Sequence, residues 1–146
     1  MLTSLTDIKY HFRVSLQTEL RGFHHVKLPV SDVRASAGWY ERVLGLAVAI
    51  EFVEDGELRG VAMRDPGHTL MIALREEPGR AAALGGFDPL ALAVPTLEAL
   101  RAWTARLDAL GVPHAGIAEG SIGWLIGGLI DPDGVEIRLY TLEGRT

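Results

Sequence analysis

The chain has 146 residues, 48% of them hydrophobic and 23% charged, and its 14 basic and 19 acidic side chains leave a net charge of −5. A chain of that size closes one core without metals or disulfides as staples, its composition excludes a disordered or fibrous protein, and its average field repels nucleic acid. The absence of cysteine removes disulfides, thiolate metal sites and cysteine nucleophiles, and suits a reducing cytoplasm.

The opening MLTSLTDIKYHF lacks the basic-then-apolar order of an export signal, and no apolar run reaches the length of about 18 residues that would span a bilayer, so neither export nor a membrane span is expected. Residues 7 to 16 alternate, with Ile8, Tyr10, Phe12, Val14 and Leu16 on one face and His11 among the polar residues of the other. That period of two predicts a half-buried strand within an N-terminal extension of residues 1 to 20. A second strand is predicted over 23 to 30, with Val26, Leu28 and Val30 on one face and His25, Lys27 and Pro29 on the other. On that reading His24 points away from His25.

Ser31 or Asp32 then caps a helix that carries Val33, Ala37, Tyr40 and Leu44 and stops at Gly45. Strands follow at about 46 to 53, 58 to 64 and 68 to 74, separated by the turns EDGE and RDPGH. Residues 75 to 86 read as a connecting loop. After it the plan starts again: DPLALAVPTLEALRAW repeats HHVKLPVSDVRASAGW, with Val30 and Val94 64 residues apart and Trp39 and Trp103 likewise. Thr96 caps the second helix, and strands are predicted near 115 to 119, 123 to 130 and 135 to 141. Two βαβββ modules, about 21 to 74 and 87 to 142, are implied within one domain of residues 21 to 146, an α+β fold. Val26, Leu28, Val30, Leu90, Leu92, Val94, Ile137 and Leu139 should lie beneath the helices. Trp39 and Trp103 fall at equivalent helix positions and read as packing, whereas Trp124, in a glycine-flanked strand, is the aromatic best placed against a ligand. The glycine-rich GSIGWLIGG has no helix after it to make a phosphate loop, and reads as a bulged strand with close backbone approach. His68 and His114 read as turn or surface residues.

The doubled unit, with HHVKLPVSDVRASAGWYERVLGL at its start and DPDGVEIRLY at its end, resembles the vicinal oxygen chelate superfamily of glyoxalases, bleomycin resistance proteins and extradiol dioxygenases, over residues 21 to 142. The resemblance implies two modules wrapping a cup, an incompletely closed barrel, with Glu136, Arg138 and Tyr140 facing into it, and a homodimer. Enzymes of that family hold a divalent metal at four strand positions. Here the first is His25, but the others are Met71, Pro89 and Arg138. One imidazole does not hold a hard cation, which takes about three or more protein ligands. A guanidinium about 4 Å away opposes even a single positive charge by ~4 kcal/mol at an effective dielectric near 20.

No cofactor is therefore expected; a metal would need His25 with Glu136 as a shifted carboxylate. The resemblance implies a metal-free cup that binds a small anionic or aromatic organic molecule through His25, Lys27, Met71, Pro89, Trp124, Glu136, Arg138 and Tyr140. Arg138 could serve as an anion anchor or be consumed in an ion pair with Glu136. Two alternatives stay open. One is an enzyme, either a lyase or dioxygenase with a rearranged ligand set or a metal-free isomerase using His25 and Arg138. The other is a degenerate dimeric interaction domain.

Overall fold

The computed structural model describes residues 18–144; the strand expected at 7 to 16 lies outside them. Among the described residues, eight strands and three helices form two modules of the same plan. The first contains β1 (Val26–Val30), α1 (Val33–Leu44), β2 (Ala47–Glu54), β3 (Glu57–Arg64) and β4 (Met71–Glu76). After α2 (Pro78–Leu84), the second contains β5 (Leu90–Val94), α3 (Leu97–Ala109), β6 (Ile117–Glu119), β7 (Trp124–Ile126) and β8 (Ile137–Thr141). Each module forms a four-stranded sheet, in the orders β1-β4-β3-β2 and β5-β8-β7-β6, and the two are not joined into a closed barrel. In each, the first strand pairs parallel with the last, and the module's helix makes the crossover.

Local chemistry explains the helices. Asp32 Oδ1 accepts from the backbone N–H groups of Arg34 and Ala35, both at 3.1 Å, meeting donors that have no partner inside the first turn. Gly45, at φ 74°, ends α1 in the left-handed conformation that a residue without Cβ adopts freely. Thr96 Oγ1 caps α3 by accepting from Ala99 N–H at 3.1 Å.

The core lies between the helices and the inner face of each sheet, and one cluster spans both modules. Leu28, Val30, Val94, Ile137 and Leu139 are buried in it, with Val26, Leu90 and Leu92 packed against it in half-buried positions. Trp39 and Trp103 also pack on this cluster, and Arg106 lies 5.8 Å from the Trp103 ring centroid. The Tyr40 hydroxyl donates to Asp131 Oδ2 at 2.8 Å, with both residues buried. Since Tyr40 belongs to α1 and Asp131 to the DPDG turn, this bond ties the modules together. Burial, the Asp131 charge and this hydrogen bond push the Tyr40 hydroxyl pKa well above its ordinary value. Among the described residues no helix is long and apolar enough to cross a membrane.

Three expectations need correction. Residues 75 to 86 are not a loop: β4 runs on to Glu76 and Pro78–Leu84 is helical. Pro78 suits a first helical turn, and the alanines that follow favour helix more strongly than the flanking glycines oppose it; Ala81 is fully buried and anchors the segment. The strand expected over 123 to 130 is regular only from Trp124 to Ile126. Gly128, at φ 70°, then turns the backbone, and a Cβ there would stand 3.0 Å from Ala115. Finally, β1 starts at Val26 rather than residue 23, so period-two alternation does not govern His24 and His25.

Candidate ligand-binding site

The register of the first sheet defines a hollow on the face away from the helices. Gly60 lies opposite Phe52 and Arg75, Ala62 opposite Ile50 and Ala73, and Arg64 opposite Ala47 and Met71. Alternation along β3 puts Val61 and Met63 in the core, so Gly60, Ala62 and Arg64 share the opposite face. Three small residues, Gly60, Ala62 and Ala73, therefore form a floor where larger side chains would fill the space. The Phe52 ring stands over Gly60, 3.6 Å from where a Cβ would be. The result is a groove of about 450 Å³ walled by Ile50 and Phe52 on one side and His25 and Lys27 on the other, with Met71 also lining it. Ile50 and Phe52 are 45% and 46% exposed, a large apolar surface to leave in water.

Polar groups around the groove are few and mostly engaged. Arg75 donates to both Glu54 oxygens, at 2.7 and 2.8 Å. This fork raises the arginine pKa and holds the Glu54 carboxyl below its usual range. His24 joins His25 at the groove, against the sequence expectation: their Nδ1 atoms are 2.9 Å apart and both rings line the cavity. Preceding β1, the two residues are free of its alternation, so no strand pattern could have paired them.

A second cavity of about 520 Å³ lies between the modules, where His25, Met71 and Leu70 meet Pro89, Leu90 and Leu92. The structure thus groups His25, Lys27 and Met71 on the first sheet and brings Pro89 to the cleft beside it. Trp124, Glu136, Arg138 and Tyr140 belong to the second sheet and line neither cavity. Trp124 packs against the core. Tyr140 covers Gly120, where a Cβ would come within 2.6 Å of its hydroxyl oxygen. Arg138 donates from Nε to Glu136 and forms a further ion pair, at 3.1 Å, with Asp88. The Glu136 hydrogen bond raises its pKa. Two carboxylates around one guanidinium leave that locus with a net negative charge.

The donors present do not match a divalent site of the kind the resemblance implies. Among the described residues, no three His, Cys, Asp or Glu side chains converge, and Arg138 at the fourth position has drawn Glu136 to itself. His114, expected as a turn or surface residue, lies instead in the irregular segment before β6 with its side chain only 11% exposed, Nε2 2.7 Å from Asp108 Oδ1 and Nδ1 accepting from Gly116 N–H.

Paired βαβββ modules, each a four-stranded sheet crossed by one helix, define an α+β fold class. The family model described as Glyoxalase/Bleomycin resistance protein/Dioxygenase superfamily matches residues 22–139, and the chain belongs to that superfamily. A solved glyoxylase/bleomycin resistance protein/dioxygenase domain from Frankia sp. EAN1pec is 26% identical, with a TM-score of 0.65 over 87% of this chain and 100% of the other. The antibiotic binding protein TnmS3 from Streptomyces sp. CB03234 is 21% identical (TM-score 0.67, 84% and 97% covered). The fosfomycin resistance protein FosX from Listeria monocytogenes is 18% identical (TM-score 0.61, 85% and 95% covered). These last two likenesses concern the fold. No curated protein matches the chain.

Proposed function

We propose that the protein binds a small, largely apolar or aromatic organic molecule on the open face of its first sheet, and that it does so as a homodimer. The observation that carries the reading is the groove itself. Its floor of Gly60, Ala62 and Ala73 lies between the exposed apolar walls Ile50 and Phe52 and the polar pair His25 and Lys27. A concave, mostly apolar lining with a few polar groups at one side is the usual form of an organic ligand site. The antibiotic binding and fosfomycin resistance proteins of the same fold lend the reading support by analogy.

The test is fluorescence titration with phenylnaphthylamine, a neutral aromatic probe that brightens on leaving water. Saturable binding of about one probe per chain is expected. Ala73→Phe, which fills the floor from a half-buried position, should weaken that binding by at least tenfold, roughly 1.4 kcal/mol, while leaving the circular dichroism spectrum unchanged. Unchanged affinity in a folded Ala73→Phe variant would refute the groove as the site.

A further inference from the structure

The binding reading leaves open which charge the ligand carries, and the inference here rests on that reading. A third cavity, also of about 450 Å³, adjoins the groove: it shares His24 and Met71 with it and is otherwise lined by residues that include Arg21, Arg64, His68 and Thr69. Register explains the junction. Arg64 stands directly opposite Met71 on the groove face of the sheet, at the end remote from Arg75. His68 is held beside it by the turn after β3, at φ 54° with its N–H bonded to the Asp65 carbonyl.

One guanidinium in this cavity is not cancelled as three others on the two sheets are. Arg59, Arg75 and Arg138 are paired with Glu76, Glu54, and Glu136 with Asp88, respectively. Half-buried Arg64 forms no ion pair among the described residues, and neither does Lys27, which lines the groove. Arg21 is paired with Glu19, both being exposed. The nearest carboxylate in sequence, Asp65, is committed to its own turn: it accepts from Thr69 N–H at 2.7 Å, from the Thr69 hydroxyl and from Leu70 N–H at 3.0 Å. A chain with net charge −5 thus keeps a partly desolvated, unpaired guanidinium beside two imidazoles at one end of an apolar groove.

We propose that the ligand is an aromatic acid whose ring system lies over Gly60, Ala62 and Ala73 and whose carboxylate, sulfonate or phosphate enters the basic cavity at Arg64. A planar guanidinium recognises such groups with two parallel hydrogen bonds, and Arg64, rather than Arg138, is the arginine with donors to offer.

Two probes that differ by one acid group test this: neutral phenylnaphthylamine and its sulfonated counterpart, anilinonaphthalene sulfonate, each titrated into the full chain by fluorescence at low salt. The sulfonate should bind about tenfold more tightly than the neutral probe. Arg64→Gln should bring the two affinities to within about twofold while neutral-probe binding persists, which also reports that the variant is folded. Raising the salt to a Debye length of about 3 Å should shrink the wild-type advantage. Equal affinities in the wild type, or an advantage that survives Arg64→Gln, would overturn the proposal while leaving the groove as an apolar site. Failure of the wild type to bind either probe would overturn both readings.

Discussion

Single residues in this protein act according to what they are bonded to, and the contrast among its arginines shows how much that matters. Arg138 stands where the family resemblance places a metal ligand yet is enclosed by Glu136 and Asp88, whereas Arg64, at the head of the RDPGH turn, meets no carboxylate among the described residues. Tyr40 is the other residue whose partner defines it. Its hydroxyl, ordinarily titrating near 10.0, is raised by burial and by Asp131. The folded state therefore holds this proton at a pH where the unfolded chain has released it. Stability linked to Tyr40 is complete below about pH 10 and is lost as pH rises beyond it. Tyr40→Phe should cost about 1.5–3 kcal/mol at pH 7, because the bond it removes ends on a carboxylate. It should also flatten the fall in stability above pH 10. Urea titrations at pH 7 and at several alkaline values measure both effects; parallel curves for wild type and variant would show that Tyr40 contributes nothing to the alkaline limb.

At the scale of elements, β2 is the anomaly. All eight of its residues are exposed, including Val48, Ile50, Phe52 and Val53, the last at 59%, and it is the outer strand of its sheet among the described residues. A long apolar edge with unpaired backbone groups is a template for association, which proteins commonly block with lysine. The proposed homodimer would cover it. Wild-type protein should have the mass of two chains by light scattering, and Val53→Lys, which leaves Ile50 and Phe52 to the groove, should shift it to one. A wild-type mass of one chain, or a dimer indifferent to Val53→Lys, would assign β2 no part in association. By comparison the outer strand of the second sheet, β6, has only three residues and presents little edge.

In the whole molecule, the modules are bound to each other by core and by hydrogen bonds that cross between them. Arg106 on α3 donates to the carbonyls of Val43 and Arg42 at the end of α1, at 3.1 and 2.9 Å. Ser31 N–H meets the Asp133 carboxylate, at 3.1 Å to one oxygen, and Tyr40 meets Asp131. With one apolar cluster running through both modules, the chain should unfold as a unit. Midpoints in urea by tryptophan fluorescence and by far-ultraviolet circular dichroism should coincide within about 10%. Separated midpoints would mean that each module is stable without the other.

Most of the architecture is legible in the sequence, for reasons that are local. Alternation in β1, β5 and β8 marks which side chains are buried, Asp32, Gly45 and Thr96 mark helix ends, and the repeated strand-cap-helix plan gives two modules. Each of these signals acts within a few residues, as do the hydrogen bonds and steric limits behind it. The helix at Pro78–Leu84 was hidden because its glycines and proline suggest a loop until burial of Ala81 is known. The hollow floor was hidden for another reason: Gly60, Ala62 and Ala73 become neighbours only through the β3–β4 register. The same holds for the charges. Sequence alone determined which basic residues exist and on which face of a strand most of them lie. The tertiary structure decided that Arg138 would meet Asp88, from the segment before β5, and that Arg64 would meet no carboxylate among the described residues, because ion pairing depends on distances between segments far apart along the chain.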